Sequence, residues 1–176
     1  PKPSSAASDV YKRQLQHQER LGVYAQDQIR LGRWAYTLGG RWDRVRQSMM
    51  DRLSDTTTRS ADHAFTARVG AAYLFDNGVT PYASYSESFQ PTSGLIYPSS
   101  PAKPTTGRQY EVGVKIEPAG HNSFVGVALF DVAQRNMATT DPVNPGFIVQ
   151  SAETRVRGVE LEGKLCLLYT SPSPRD

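Results

Sequence analysis

The side chains suited to metal or acid-base chemistry are scattered along this chain. His17, His63 and His121 could each offer an imidazole, and Glu153, Glu160 and Glu162 could offer carboxylates. A metal centre needs such donors at short spacings or converging from neighbouring elements. The glutamates lack that spacing and read as charge on one wet face, while His63 and His121 fall at opposite ends of the sheet derived below. No Ser/His/Asp set, phosphate loop or distinctive carboxylate pair occurs, so the pattern contains no catalytic residues and no enzyme is expected. The single cysteine, Cys166, lies near the C-terminus, which leaves the interior without a thiol nucleophile or a disulfide.

What the sequence does contain is periodicity. Phe65, Ala67, Val69, Ala71, Tyr73 and Phe75 occupy one parity, with Thr66, Arg68, Gly70, Ala72 and Leu74 on the other. Successive strand side chains point to opposite faces, so this segment presents an apolar face and a mixed one. It ends at Asp76-Asn77-Gly78, where Asn-Gly favours a type I′ hairpin with two positive-φ residues.

Seven such stretches are predicted: 21–31, 34–46, 63–75, 79–89, 108–117, 123–137 and 147–165. Tight connections alternate with long polar ones (47–62 and 90–107), so short and long ends fall on opposite sides of one antiparallel sheet. Tyr110, Val112, Val114 and Ile116 form another apolar row, opposed by Glu111 and Lys115, which read as a lumenal charge pair. Tyr85 shares a row with Pro81 and Ala83, leaving Ser84 and Ser86 opposite. Val159 and Leu161 oppose Glu160 and Glu162. Trp34 and Tyr36, just after a tight turn, fit an interfacial aromatic girdle. Phe124 to Val132 is apolar on both parities and cannot be oriented, and the register between Gln150 and Arg157 leaves room for a bulge.

These segments are longer than the five or six residues usual in a soluble sandwich. Ten-residue alternating segments, short turns on one side and long loops on the other match an outer-membrane barrel. An odd count of seven gives an arc of a larger barrel. A soluble β-sandwich binding module is the alternative. Residues 1–14 and 166–176 lose the alternation, become rich in Ser and Pro, and resemble translated sequencing-adapter readthrough; the strand pattern occupies 15–165. Without those ends the chain holds 16 basic and 15 acidic residues, a net of +1, so its alkaline character argues for no nucleic-acid partner.

Specific wording then narrows the class. Gly22-Val23-Tyr24-Ala25-Gln26-Asp27-Gln28, Thr37-Leu38-Gly39-Gly40-Arg41-Trp42-Asp43, Arg68-Val69-Gly70-Ala71-Ala72-Tyr73-Leu74-Phe75-Asp76-Asn77-Gly78 and Pro81-Tyr82-Ala83-Ser84-Tyr85-Ser86-Glu87-Ser88-Phe89 follow one another. After them come Gly107-Arg108-Gln109-Tyr110-Glu111-Val112-Gly113-Val114-Lys115, Leu129-Phe130-Asp131-Val132, Thr139-Thr140-Asp141-Pro142 and Arg157-Gly158-Val159-Glu160-Leu161-Glu162. In this order they resemble the β-barrel domain of TonB-dependent ferric-siderophore receptors of the ferrichrome-receptor type.

The resemblance implies an all-β arc of about seven strands from a 22-stranded outer-membrane barrel, without the plug domain that fills it. It implies that the parent receptor binds a ferric siderophore outside a Gram-negative cell and imports it in a TonB-energised step. The TonB contact belongs to a missing N-terminal region. A receptor for another cargo, such as a cobalamin or a glycan, is the second reading. No resident cofactor is implied, because iron arrives already chelated. Phe65, Ala67, Val69, Ala71, Tyr73, Phe75, Tyr85, Tyr110, Val112, Val114, Ile116, Val159 and Leu161 are expected to face outer-membrane lipid. Arg68, Ser84, Ser86, Glu111, Lys115, Glu160 and Glu162 are expected to face the lumen. By the same resemblance, ligand contacts lie at the long-loop ends, with Trp42, Arg46, Phe89 and Tyr97 as candidates suited to an amphipathic or anionic chelate.

Overall fold

In the computed structural model, which describes residues 14–52, 55–118 and 123–164, alternation has produced one antiparallel sheet of seven long strands. In chain order the strands are β1 (Gln14–Leu31), β2 (Trp34–Asp51), β3 (Thr56–Tyr73), β4 (Val79–Gln90), β5 (Leu95–Ile96), β6 (Ser100–Pro101), β7 (Thr105–Ile116), β8 (Phe124–Arg135), β9 (Ala138–Thr140), β10 (Ile148–Gln150) and β11 (Thr154–Lys164). The long strands lie in the order β1-β2-β3-β4-β7-β8-β11, each beside its neighbour in sequence. The short ones form two hairpins, β5 with β6 and β9 with β10, inside the connections at one end.

Three expectations change. The segment 47–62 is not a long loop: β2 and β3 stay in register from Trp34↔Tyr73 to Asp51↔Thr56. Its sequence reflects a strand pair that is largely polar on both faces, one of them covered by the loop 91–104, and so carries no two-residue alternation. The last predicted strand, 147–165, breaks at 151–153: β10 turns back onto β9, and only Thr154–Lys164 pairs with β8. The hairpin at Asn77-Gly78 is present, but only Gly78 has positive φ (82°), so it is not type I′. Strand β3 already stops at Tyr73, which gives a wider turn held by Phe75 N–H to Val79 O at 3.0 Å and by Asn77 Oδ1 accepting the Val79 N–H at 3.2 Å. His121, Leu165 and Cys166 lie outside the described residues.

The register assigns every long strand to two faces. Across one face run Val23, Ala25, Ile29 and Leu31 of β1, Trp34, Tyr36, Leu38 and Trp42 of β2, and Phe65, Ala67, Val69, Ala71 and Tyr73 of β3. Tyr85, Ala83, Pro81 and Val79 of β4 continue it. Tyr110, Val112, Val114 and Ile116 of β7, Leu129, Val127 and Val125 of β8, and Val159 and Leu161 of β11 complete it. The register also orients β8, which its sequence leaves open: Val125, Val127 and Leu129 belong to this apolar belt, and Phe124, Ala128 and Phe130 to the second face. Asp27, opposite Leu38, lies in the interior of the belt, and its Oδ1 accepts the Gln28 N–H at 2.8 Å, while Asp131, opposite Tyr110, stands at the belt's edge.

Aromatic rows bound the belt. At the tight-turn end Trp34 stacks on Tyr36 (centroids 5.8 Å) and meets Tyr73 edge-on (5.0 Å), and Tyr73 meets Phe75 (4.7 Å). At the other end Trp42 lies opposite Phe65, and Tyr85 contacts Tyr110 at 4.8 Å. Trp34 and Trp42 stand eight positions apart along β2, about 26 Å at ~3.3 Å per residue. Among the described residues no second layer covers the belt: Val69, Val112, Leu129, Val159 and Leu161 are all exposed. The sandwich alternative requires these side chains to be buried between two sheets.

Candidate ligand-binding mouth

The second face collects the polar side chains. Arg68 pairs with Ser86, Ser84 with Glu111, and Lys115, Glu160 and Glu162 fall on the same side. Glu111 accepts the Tyr82 hydroxyl at 2.8 Å and the Gln109 amide at 2.9 Å. The expected Glu111/Lys115 pair does not form. Four strand residues span ~13 Å, beyond the reach of an ion pair along one strand. Lys115 bonds Glu117 at 2.6 Å instead and places its ammonium 4.4 Å from the centre of the Phe124 ring.

Glycines on this face make room for rings. A Cβ on Gly113 would lie 2.8 Å from the Tyr82 ring and 2.7 Å from the Val127 carbonyl oxygen, and one on Gly158 would lie 2.5 Å from Phe130 Cζ. These rings therefore lie flat across the neighbouring strand, which makes the second face partly aromatic as well as polar.

At the long-connection end two loops interlock. Residues 91–104, carrying β5 and β6, fold onto themselves through Ala102 N–H to Gly94 O at 3.0 Å, burying Ala102. Residues 136–153 carry β9 and β10, and Asp141 organises the turn between them. Its Oδ1 accepts the N–H groups of Val143 (2.8 Å) and Asn144 (3.1 Å), and its Oδ2 accepts the Asn144 amide (2.9 Å). These bonds, the Asn144 side chain foremost, hold the Asp141 carboxyl below the ordinary carboxylate range. The loops meet where the Gln150 amide binds the Lys103 peptide and Asn136 O, the Asn136 amide donates to Pro104 O, and Tyr97 packs edge-on against Phe147 at 5.4 Å. The first loop also reaches inward: Gly94, Leu95, Pro101 and Ala102 border a recess with Gln16, Gln47, Met49, Thr58 and Ser60, and Ser93 hydrogen-bonds Gln16. Together they form a cap over the upper second face of β1–β3.

The four ligand candidates separate. Tyr97 lies in the cap and remains 59% exposed. Trp42, Arg46 and Phe89 instead share the parity of the apolar belt, on the face opposite the second-face polar residues. The candidates therefore fall on different surfaces, because parity still divides the loop ends of the strands. Phe89 borders a cleft of about 270 Å³ that opens because β3 and β4 pair only from Arg68↔Ser86 to Ala72↔Tyr82. Above that point the Glu87 carboxylate takes the Ala67 N–H at 3.0 Å in place of a strand carbonyl.

Sequence reasoning missed the group just below the cap. Arg20 lay outside the predicted first strand, and Arg41 and Asp43 carried only a parity. In the fold, Asp43 accepts Arg20 Nε at 3.0 Å, Arg41 Nε at 2.7 Å and Arg41 Nη2 at 2.9 Å while only 1% exposed. Every buried side-chain polar atom among the described residues has a partner. Among those residues no cluster of His, Cys, Asp or Glu could hold a metal ion, and no helix is long and apolar enough to cross a membrane.

Comparison with known proteins agrees with this architecture. The family described as TonB dependent receptor-like, beta-barrel, matches residues 1–170. The ferrichrome outer membrane transporter/phage receptor of Escherichia coli K12 is 44% identical over 87% of this chain, and the ferrioxamine B receptor of Salmonella typhimurium SL1344 is 41% identical over 87%. The chain spans about a fifth of the length of these relatives, 20% and 22%. Among solved structures, the alcaligin outer-membrane receptor of Bordetella pertussis superposes with a TM-score of 0.69 at 24% identity, over 88% of this chain and 28% of its own, a likeness of fold. The seven-stranded arc, the bounded belt and the family match converge, and the chain belongs to the TonB-dependent receptor β-barrel family of the Gram-negative outer membrane.

Proposed function

We propose that this chain forms part of the barrel wall and mouth of a receptor that binds a ferric siderophore outside the cell and admits it in a TonB-energised step. The observation that carries this reading is the similarity, above 40% identity across most of the chain, to two proteins named as receptors for ferrichrome and ferrioxamine B. The structure supports it through the division of its faces. In this reading the apolar belt faces lipid, because closed barrels expose their apolar parity to hydrocarbon and keep polar side chains inside. The second face, with Arg68, Ser84, Ser86, Glu111, Lys115, Glu160 and Glu162, lines the bore. The interlocked loops, with Tyr97 and Phe147, stand at the mouth, where aromatic rings suit an amphipathic chelate. TonB engages a region outside this span, and the iron arrives already chelated.

The test is uptake of radio-iron by cells that lack their own ferric-hydroxamate receptors and produce the complete receptor carrying this sequence. Ferrichrome or ferrioxamine B should be imported only when TonB is present. Import of neither, with the protein correctly in the outer membrane, overturns the cargo. Uptake of a cobalamin or a glycan instead would reassign the cargo and keep the barrel.

A further inference from the structure

Down the second face of β2 the side chains run Met49, Gln47, Val45, Asp43, Arg41 and Gly39. The cap covers Gln47 and Met49, and Val45 is fully enclosed, so Asp43 and Arg41 are the first polar groups of β2 below the cap. Three features distinguish this place from an ordinary surface ion pair. The anchor is buried, with the Asp43 side chain 2% exposed while Arg20 and Arg41 keep 39% and 42%. A slot is left for it: Gly22 lies opposite Asp43, and a Cβ there would come 2.4 Å from Arg41 Nη2. Donors are left over, since Asp43 engages only Nε of Arg20 and Nε with Nη2 of Arg41. Both terminal amino groups of Arg20 and Nη1 of Arg41 remain without a partner among the described residues. Two guanidiniums against one carboxylate leave a net +1.

We propose that Arg20 and Arg41, positioned by Asp43, form an anion-recognition element of the bore wall that takes the carboxylate of a negatively charged ferric chelate beneath the loop cap. This rests on the receptor reading above. A guanidinium offers parallel N–H donors that match a carboxylate, and an arginine already fixed by a buried partner loses little side-chain freedom when it binds a second anion. Its effect is therefore selection among chelates by charge.

The experiment uses the complete receptor in outer-membrane vesicles and three probes: ferrioxamine B (cationic), ferrichrome (neutral) and N-succinyl ferrioxamine B, which carries a carboxylate on the same ferric hydroxamate core. The unmodified receptor should bind the succinylated chelate about tenfold more tightly than ferrioxamine B, a ratio that falls as salt rises. In the Arg20→Gln/Arg41→Gln variant the ratio should drop to within about twofold of unity, and Lys at both positions should recover only part of it, because an ammonium lacks the planar fork. Asp43→Asn separates positioning from plain charge. It makes the site more positive yet releases the guanidiniums, so the ratio should fall; a rise would mean that net field alone acts and would overturn the assignment. Heat-resistant migration reports whether each variant is folded. A ratio near unity in the unmodified receptor overturns the element while leaving the receptor reading intact. Failure to bind any of the three overturns both.

Discussion

The Gln150 side chain closes both ends of the Lys103 residue: its Nε2 donates to Lys103 O at 2.7 Å and its Oε1 accepts the Lys103 N–H at 2.9 Å. One amide thus does for Lys103 what a neighbouring strand would do. The same Nε2 also reaches Asn136 O at 2.8 Å, and Thr105 Oγ1 donates to that carbonyl at 3.0 Å. This side chain joins the Asn136–Pro104 and Tyr97–Phe147 contacts in fastening two loops that are separate in sequence, so they should open together.

Gln150→Leu therefore leaves the Lys103 N–H and the Lys103 carbonyl without their partner and the Asn136 carbonyl with Thr105 Oγ1 alone, at a local cost of ~1–3 kcal/mol for each unpaired group shielded from water. Hydrogen exchange should accelerate jointly in residues 92–104 and 137–150, with β7 and β8 unchanged. Gln150→Glu keeps the acceptor and loses the donor, and should give an intermediate rate. Acceleration confined to one loop would contradict the fastening.

Acid should loosen the same cap. Glu153 accepts Arg135 Nε at 2.8 Å and lies 3.8 Å from Arg108, and the Arg135 bond holds its carboxyl below the ordinary range, as the Asn144 contacts do for Asp141. A depressed folded pKa means that the unfolded loop binds protons more readily. The stabilisation is then complete above the ordinary carboxylate pKa, about 4, and is lost as pH falls through the lower folded value. Exchange in residues 136–153, corrected for its intrinsic pH dependence, should rise on acidification through this window. Glu153→Gln and Asp141→Asn should each flatten the response. An unchanged profile in the double variant would remove these carboxylates from the explanation.

Much of the sheet was legible because water and apolar surroundings on opposite faces impose a two-residue period, as in Val69 against Arg68 or Val114 against Lys115. Where that contrast vanishes, so does the signal. Between Gln47 and Asp62 both faces are polar, and the strand pair read as a loop. Along Phe124 to Val132 both parities are apolar, because Phe130 packs over Gly158 on the second face. The cap depends on contacts such as Gln150 with Lys103, 47 residues apart, which leave no periodic trace. Arg41 and Asp43 had a readable parity and Arg20 lay beyond the predicted strand, but the burial of Asp43 that joins the three exists only in the fold.

The ring-over-glycine contacts predict an order of damage. A methyl at Gly113 would meet the Val127 backbone oxygen at 2.7 Å and the Tyr82 ring at 2.8 Å, so neither the strand nor the ring can yield freely. At Gly158 the obstacle is the far edge of Phe130, which can rotate away. Gly113→Ala should cost ~1–3 kcal/mol in urea unfolding and Gly158→Ala less. The first should also disturb the Tyr82–Glu111 bond. The reverse order would show that the ring at Phe130 is the more rigid of the two.

The face assignment yields the sharpest contrast. Val114 lies within the belt and Ser84 on the opposite face, two strands that pair directly. With the belt against hydrocarbon, Val114→Arg puts a guanidinium near the bilayer midplane at a cost of ~2–4 kcal/mol, whereas Ser84→Arg adds a cation to a wet wall that already holds Arg68. Asp27→Leu should act in the opposite direction from Val114→Arg and stabilise, since it removes a carboxylate from the interior of the belt. Reversible urea unfolding of the complete receptor in lipid vesicles measures all three. Equal destabilisation by the two arginines would mean that the belt does not face lipid, because in a water-exposed sheet neither parity penalises a solvated guanidinium.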